Sequence, residues 1–137
     1  MIETKQLLFE SEGPFGLVNL TDDVKSLIRN GQIENGVINI YSHGSTTGVV
    51  VLGGEEGLEE DFINMMKRLV PDGDYAHDQK TATNNGVAHL RSTLAGTGVT
   101  IPFARKRIYL GMFQQIYFID FDFVKREREV IVQLMGE

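Results

Sequence analysis

The 137-residue chain carries 19 acidic and 13 basic side chains, and its net charge of -6 has the wrong sign for a protein that mainly neutralises nucleic-acid phosphates. The length of 137 residues and the hydrophobic content of 42% predict one folded domain over residues 1–137. The chain contains no run of about 20 apolar residues and no signal-peptide pattern. We therefore expect a cytoplasmic protein that does not enter a membrane. The absence of cysteine excludes disulfides, thiolate metal sites and thiol nucleophiles.

The N-terminal segment has the pattern of a hairpin followed by a helix. Residues 4–9 and 16–20 have strand character and flank a turn signal at residues 12–14, where Gly and Pro interrupt the backbone. Thr21 is a suitable cap for a short helix with apolar residues at helical spacing, and Gly31 is typical of its end.

Two apolar runs follow, and then the clearest helix of the chain. Residues 37–42 and 47–52 are rich in β-branched side chains, which predicts adjacent, central strands. Residues 58–70 place an apolar stripe on one face, with acidic residues at the start and basic residues at the end, in accord with the helix dipole. We expect Phe62 and Met66 to pack this stripe on the sheet.

The longest connection covers residues 71–85, which show no periodicity and many turn residues. A third helix is predicted over residues 87–95, with Asn84 or Asn85 as its cap. At 100° per residue His89 falls on the polar face of this helix. Three apolar side chains are expected to face inward: Val87, Leu90 and Leu94.

The remainder of the chain predicts four strands, over residues 99–103, 107–110, 114–123 and 129–135. In the third of these, Asp120 and Asp122 share a face with Ile116 and Phe118. The charged run at residues 125–129 is interpreted as a solvated strand start. The predicted fold class is therefore α+β, with a mixed, mostly antiparallel sheet and about three helices.

Two of the three histidines, His77 and His89, flank the long connection and are candidates for one shared site. Imidazole is suited to proton transfer near neutral pH and is a common metal ligand. The alternative is that both are ordinary surface residues, because their spacing does not fix two nitrogens on one element.

Hydroxyl and amide side chains supply further candidates for ligand binding. Ser45, Thr46 and Thr47 lie in a loop between two predicted strands, where their hydroxyls and the backbone N–H groups are placed to hold an oxyanion or a phosphate. A plain turn is the alternative. Gln114 and Gln115 interrupt an apolar stretch, so at least one of them must satisfy backbone groups or face a ligand.

An ordered series of segments from Gly36 onward resembles the YjbQ family, whose members are named secondary thiamine-phosphate synthase enzymes. The matching segments are residues 45–47, 69–71, 75–78, 88–92, 99–102, 110–116 and 132–137. The resemblance implies a YjbQ-like α+β domain that assembles as a homotrimer, with sites near subunit boundaries. It further implies condensation of a pyrimidine methyl diphosphate with a thiazole phosphate, so that a small phosphate-bearing anion is the expected ligand.

The resemblance also implies roles for single residues. His77 and His89 are the expected catalytic residues and the expected ligands of any divalent metal, zinc or magnesium. The substrate-binding set is Ser45, Thr46, Thr47, Asn85, Arg91 and Gln114. Ser45 and Val87 stand where some members have His, which favours the alternative function, a non-catalytic trimer that binds an anionic metabolite or a metal ion.

Overall fold

The computed structural model describes every residue from Met1 to Glu137 as eight strands and four helices. The strands are β1 (Ile2–Glu12), β2 (Gly16–Asn19), β3 (Gly36–Ser42), β4 (Thr47–Gly53), β5 (Gly98–Ala104), β6 (Arg107–Ile108), β7 (Gln114–Asp120) and β8 (Lys125–Gly136). The helices are α1 (Thr21–Asn30), α2 (Leu58–Leu69), α3 (Ala76–Lys80) and α4 (Gly86–Ala95). None of the four combines the length and the apolar character that a membrane-spanning helix requires.

The strands form two antiparallel sheets with a shared core. The larger sheet has the order β1-β8-β3-β5-β6 and the smaller has the order β2-β7-β4. Apolar side chains from both sheets, such as Ile38 and Phe118, meet in one cluster that Val24 and Ile28 of α1 also enter. Burial between two sheets explains why the central strands are apolar along most of their length.

A second core lies on the other side of the smaller sheet. Ile119 and Phe121, which follow one another by two residues, pack against Phe62 and Met66 of α2 and Ala88 of α4. β7 is thus buried on both faces, and the layers run helices, smaller sheet, larger sheet. The expectation that the Phe62 and Met66 face packs on the sheet is confirmed.

Two predicted strand pairings are wrong. β1 pairs with β8 and β2 pairs with β7, so residues 12–14 do not close a hairpin and instead carry the chain from one sheet to the other. A side chain on Gly13 would collide with the carbonyl oxygen of Asp122, which explains the need for glycine at this crossing. β3 is central, but β4 is an edge strand of the other sheet. Apolar runs indicate burial, and they do not identify the neighbouring strand.

The helices differ from the prediction in number and in one orientation. The connection contains α3, which is too short to show periodicity, so four helices replace the expected three. Leu90 and Leu94 are 44% and 52% exposed, whereas Arg91 and Ser92 are buried. The expected inward direction is therefore correct for Val87 and wrong for these leucines, because the buried face of α4 is formed by Val87, Ala88, Arg91 and Ser92.

Candidate functional site

α3 and α4 bring His77 and His89 side by side. Their ring centroids are 4.7 Å apart and the planes are tilted by 52°. Both residues are half-buried. His77 lies near the start of α3 and His89 lies one turn into α4, so the turn between the two short helices sets the distance. We call these two residues the histidine pair.

Asp78 orients His77, one member of the histidine pair. Its Oδ1 lies 3.4 Å from His77 Nδ1 and also accepts a hydrogen bond from the Gly86 N–H at 2.8 Å. The Gly86 N–H has the largest effect on the pKa of Asp78 and, with bonds from His77 and the Tyr75 N–H, holds it below its ordinary value although partial burial opposes this. The ionised carboxylate favours a proton on Nδ1, which leaves Nε2 of His77 free to accept or donate a proton.

A second polar group lies next to the histidine pair. Asp122 accepts hydrogen bonds from Thr46 Oγ1 at 3.1 Å and from Asn85 Nδ2 at 3.4 Å. Asn85 precedes His89 by one helical turn, and its carbonyl accepts the His89 N–H at 3.2 Å. The remaining side-chain oxygen of Asn85 is buried and has no hydrogen-bond donor in the chain. Asn85 therefore links Asp122 and Thr46 to the first turn of α4, the helix that carries His89.

The charge of Asp122 is stabilised from several directions. Burial raises the pKa of Asp122. Hydrogen bonds from the Phe123 N–H, Asn85 and Thr46, together with the charge of Arg126, outweigh burial, and the net shift of the pKa is downward. Asp120 lies two residues earlier and accepts two hydrogen bonds from Arg128. Asp120 and Asp122 are thus stabilised as carboxylates at this end of β7, and Asp122 holds the side chains of Thr46 and Asn85 in place.

The sequence contained a signal for this carboxylate cluster. Asp120 and Asp122 alternate with apolar residues in a buried strand, and a buried carboxylate requires a cationic or hydrogen-bonding partner. Arg126 and Arg128 also differ by two positions and therefore share one face of β8. The interpretation of that run as a solvated strand start is correct for the exposed Lys125 and Glu127 and wrong for Arg128, which is mostly buried.

The loop before β4 turns most of its hydroxyls into the protein. Thr47 Oγ1 lies 2.6 Å from Ser42 Oγ, and the Thr46 hydroxyl donates a hydrogen bond to Asp122. Ser45 is exposed at the tip. Thr47 also borders a polar cavity of 150 Å³ that Arg128 lines from β8. Only Thr46 of this loop contacts the region of the histidine pair, through Asp122.

Arg91 lies on the inward face of α4 and is 2% exposed. Its Nε donates to the Val70 carbonyl at 3.0 Å, and its guanidinium carbon lies 4.8 Å from the centre of the Phe15 ring. Asp72 provides a counter-ion at 3.6 Å. These contacts tie the start of the connection to α4 and leave no guanidinium surface open to a phosphate.

Gln114 lies at the opposite end of the smaller sheet. It is the first residue of β7, it pairs with Gly53, and its Oε1 accepts the Gly111 N–H at 2.7 Å. Asp120, which marks the region of the histidine pair, is at the other end of the same strand. A strand of this length spans roughly 20 Å. One chain therefore does not bring Gln114 to the histidines.

The ligand set around the histidine pair is incomplete for a zinc ion. Zinc sites in proteins generally use at least three protein ligands. No cluster of three or more histidine or carboxylate side chains in this chain has a geometry able to hold a metal ion. The residues of a single chain thus do not fit a zinc site.

An apolar cavity is bordered by residues close in sequence to the two histidines, although neither imidazole lines it. It has a volume of about 610 Å³ and is lined by six residues of α2, the following connection and α4. Thr93, one turn after His89, is one of them, and its hydroxyl donates to the His89 carbonyl at 3.1 Å. Tyr75, two residues before His77, forms the opposite wall. The arrangement offers an apolar surface for a ring on α4, the helix that carries His89.

Comparison with known proteins identifies the family. The family model described as UPF0047 protein YjbQ-like matches residues 5–137. The chain belongs to the YjbQ-like UPF0047 family. A UPF0047 protein of Archaeoglobus fulgidus is 36% identical over 120 residues, which are 87% of this chain and 90% of the relative. The UPF0047 protein of Methanothermobacter thermautotrophicus is 29% identical over 137 residues, covering 99% of this chain and 94% of its own.

Solved structures show that the YjbQ-like fold extends over the whole chain. A YbjQ-like protein of unknown function from Sulfolobus solfataricus superposes with a TM-score of 0.89 at 27% identity, covering 100% of both chains. A hypothetical protein from Aeropyrum pernix gives a TM-score of 0.87 at 29% identity, covering 98% of this chain and 99% of the other. The predicted family resemblance is confirmed, and the α+β class with it.

Proposed function

We propose that this YjbQ-like protein is an enzyme of the thiamine-phosphate synthase type, in which His77 and His89 act on a small phosphate-bearing substrate. The observation that best supports this proposal is the position of the Asp78 carboxylate, which lies 3.4 Å from His77 Nδ1 and leaves Nε2 free for proton transfer. The ring of the substrate would occupy the apolar cavity of about 610 Å³ that Tyr75 and Thr93, which are near the two histidines in sequence, help to line.

The proposed reaction forms one bond and breaks another. The thiazole nitrogen attacks the methylene carbon of the pyrimidine, and the bond from that carbon to the diphosphate oxygen breaks. The bonding electrons leave with the diphosphate. An imidazolium from the histidine pair donates a proton or a hydrogen bond to the departing oxygen, which stabilises its developing charge.

The proposal is tested by measuring pyrophosphate release from a pyrimidine methyl diphosphate in the presence of a thiazole phosphate, with and without a divalent cation. His77→Gln is expected to lower kcat by about 100-fold or more, because general acid–base groups contribute on that scale. Asp78→Asn should lower it less, since the imidazole remains but loses its orientation.

His43→Gln is the matched control, because His43 is exposed and interacts with Glu129 on another part of the surface. It should leave the rate unchanged. Equal rates for wild type and His77→Gln would show that the histidine pair does no chemistry. A wild type that releases no pyrophosphate, yet binds thiazole phosphate in calorimetry, would favour the second candidate function.

That second candidate is a non-catalytic protein that holds an anionic metabolite. The observation in its favour is the scarcity of free cations and hydroxyls at the histidine pair. Arg91 is engaged by Val70 and Asp72, and Thr47 by Ser42. A single phosphate needs fewer donors than two substrates with three phosphates between them, so binding without turnover makes smaller demands on this region.

We also propose that the protein assembles as a homotrimer. A groove of about 380 Å³ between β4, α2 and α4 is lined only by apolar side chains, including Met65 and Leu69. β4 is an edge strand, so it has β7 as a neighbour on one side and no strand on the other. The connection after β6, which contributes no residue to this groove, exposes Met112 at 89% together with Tyr109 and Phe113.

A groove and a projecting apolar segment built from different residues favour a head-to-tail contact, which forms a ring when the rotation between copies closes. Light scattering is expected to give about three times the chain mass of 15.3 kDa. Met112→Glu should reduce the mass to that of one chain, whereas Asn64→Glu, on the exposed side of α2, should not. A wild-type monomer throughout the micromolar range would contradict the proposal.

A further inference from the structure

A second polar cavity lies far from the histidine pair, between the later part of α1 and the turn from β5 to β6. It has a volume of about 300 Å³ and is lined by Lys25, Arg29, Lys106, Arg107 and Ile108. Four of its five lining residues are cationic, and no acidic side chain lines it. We call it the basic pocket.

The charge of the basic pocket is not neutralised within the chain. None of its four cations forms an ion pair with a carboxylate within 4.0 Å, although the chain has 19 acidic residues against 13 basic ones. Cations in an acidic protein normally have carboxylates available nearby. A local excess of positive charge in such a chain therefore attracts an external anion.

The local structure holds these like charges close together. Lys25 and Arg29 are one helical turn apart on α1, a spacing at which like charges destabilise a helix. Across the cavity, Arg105 and Lys106 form the two-residue turn and have φ values of 50° and 59°. Residues other than glycine rarely adopt this left-handed conformation.

Backbone contacts fix the turn in that conformation. The Arg105 N–H donates to Asn35 Oδ1 at 2.9 Å, and the Lys106 N–H donates to the Glu34 carbonyl at 3.0 Å. Lys106 Nζ donates to the carbonyls of Arg29 and Gly31 at the end of α1. The Lys106 side chain thus joins the turn to the helix, while Lys25, Arg29 and Arg107 remain free to bind a ligand.

We propose that the basic pocket binds a small polyphosphate, a diphosphate or longer group that is either free or part of a nucleotide. Several adjacent cations match a ligand that carries several negative charges on neighbouring phosphates. A volume of about 300 Å³ accommodates such a group but not a folded or extended macromolecule. A nucleic acid strand would also experience the net charge of -6 over the rest of the surface.

The basic pocket is independent of the proposed function. α4 leads into the start of β5, whereas the turn that contributes Lys106 follows its end. β5 has seven residues, so about 20 Å of strand separate the two regions. The histidine pair can therefore be removed without any effect on this site, and failure of one proposal does not entail failure of the other.

Calorimetry tests the proposal with pyrophosphate, ADP, orthophosphate and sulfate titrated into the full chain at constant ionic strength. Pyrophosphate is expected to bind at least ten-fold more tightly than orthophosphate or sulfate. Binding of ADP with the affinity of pyrophosphate identifies the diphosphate as the recognised group. Tighter binding of ADP indicates that the nucleoside contributes, and weaker binding indicates the free diphosphate.

The double variant Lys25→Gln/Arg29→Gln should weaken pyrophosphate binding at least ten-fold. Lys5→Gln/Arg68→Gln is the matched control, because both residues are exposed and the charge change is the same. His77→Gln should retain the pyrophosphate binding that Lys25→Gln/Arg29→Gln weakens, even if it loses any binding at the histidine pair. Equal affinity for all four anions would indicate an adventitious ion only, and equal losses in both double variants would indicate a general charge effect. Binding of a single-stranded RNA oligomer without binding of pyrophosphate would also overturn the proposal.

Discussion

Arg128 forms a two-point ion pair with Asp120. Its Nε donates to Oδ2 at 3.0 Å and its Nη2 donates to Oδ1 at 3.1 Å, and the carboxylate is fully buried. The Ser11 hydroxyl donates to the same carboxylate from β1. Asp120 belongs to the smaller sheet, while Arg128 and Ser11 belong to the larger one, so this polar contact joins the two sheets at one edge of their shared apolar core.

Arg128→Met is expected to destabilise the protein by about 3–5 kcal/mol, because it leaves a buried carboxylate without its cation. Urea unfolding measures the change. Lys125→Met, in the same strand, is the control: its ion pair with Glu10 is solvent-exposed at 3.6 Å and should contribute under about 1 kcal/mol. Equal losses in the two variants would show that Asp120 is stabilised by other donors.

The lowered pKa of Asp78 predicts a pH dependence of stability. A carboxylate whose pKa is lower in the folded than in the unfolded chain stabilises the fold above its unfolded value of about 4, and this contribution is lost as the pH falls through the folded pKa. The wild type should therefore have a higher thermal midpoint than Asp78→Asn at pH 7, and the difference should shrink as the pH is lowered from 5 to 3.

Asp74→Asn provides the control for that experiment, because it removes the same charge from an exposed residue four positions away. Its midpoint should follow that of the wild type across the same pH range. A difference between wild type and Asp78→Asn that stays constant down to pH 3 would mean that the bond from Gly86 does not depend on ionisation of the carboxylate.

Local signals in the sequence predict the elements well and their neighbours poorly. The bounds of α2 follow from its apolar stripe, its charged ends and Pro71, all of which lie within one segment. The pairing of β1 with β8 joins residues more than one hundred positions apart. No local pattern encodes that register, which is why a hairpin with β2 was the natural but incorrect expectation.

The candidate site shows the same division. His77 and His89 are only twelve positions apart, and their proximity follows from a short helix and a turn. The side chains of Asn85 and Thr46 instead both donate hydrogen bonds to Asp122, which is far along the chain from each of them. Gln114 lies at one end of β7 and Asp120 at the other. Neither the residue type of Gln114 nor the family resemblance reveals that the length of this strand separates Gln114 from the histidine pair.

The packing of α2 predicts a large effect of one substitution. Phe62 is buried against Met66, Ala88 and Phe121 between the helices and the smaller sheet. Phe62→Ala should cost roughly 3–5 kcal/mol in the free energy of unfolding, since the cavity cannot close between two rigid layers. Met65→Ala, on the more exposed side of the helix, should cost less. A loss below about 1 kcal/mol for Phe62→Ala would show that the second core contributes little.

Zinc binding distinguishes a site within one chain from a site between chains. Two imidazoles at 4.7 Å between centroids are one protein ligand short of the usual minimum, and no cluster of three such ligands exists in the chain. Calorimetry at pH 7.5 should therefore detect no zinc binding that distinguishes wild type from His89→Ala. If zinc instead binds tightly and His89→Ala abolishes the binding, a residue from another copy must supply the third ligand. The stoichiometry and light scattering of the same sample would then show whether the ion and the trimer form together.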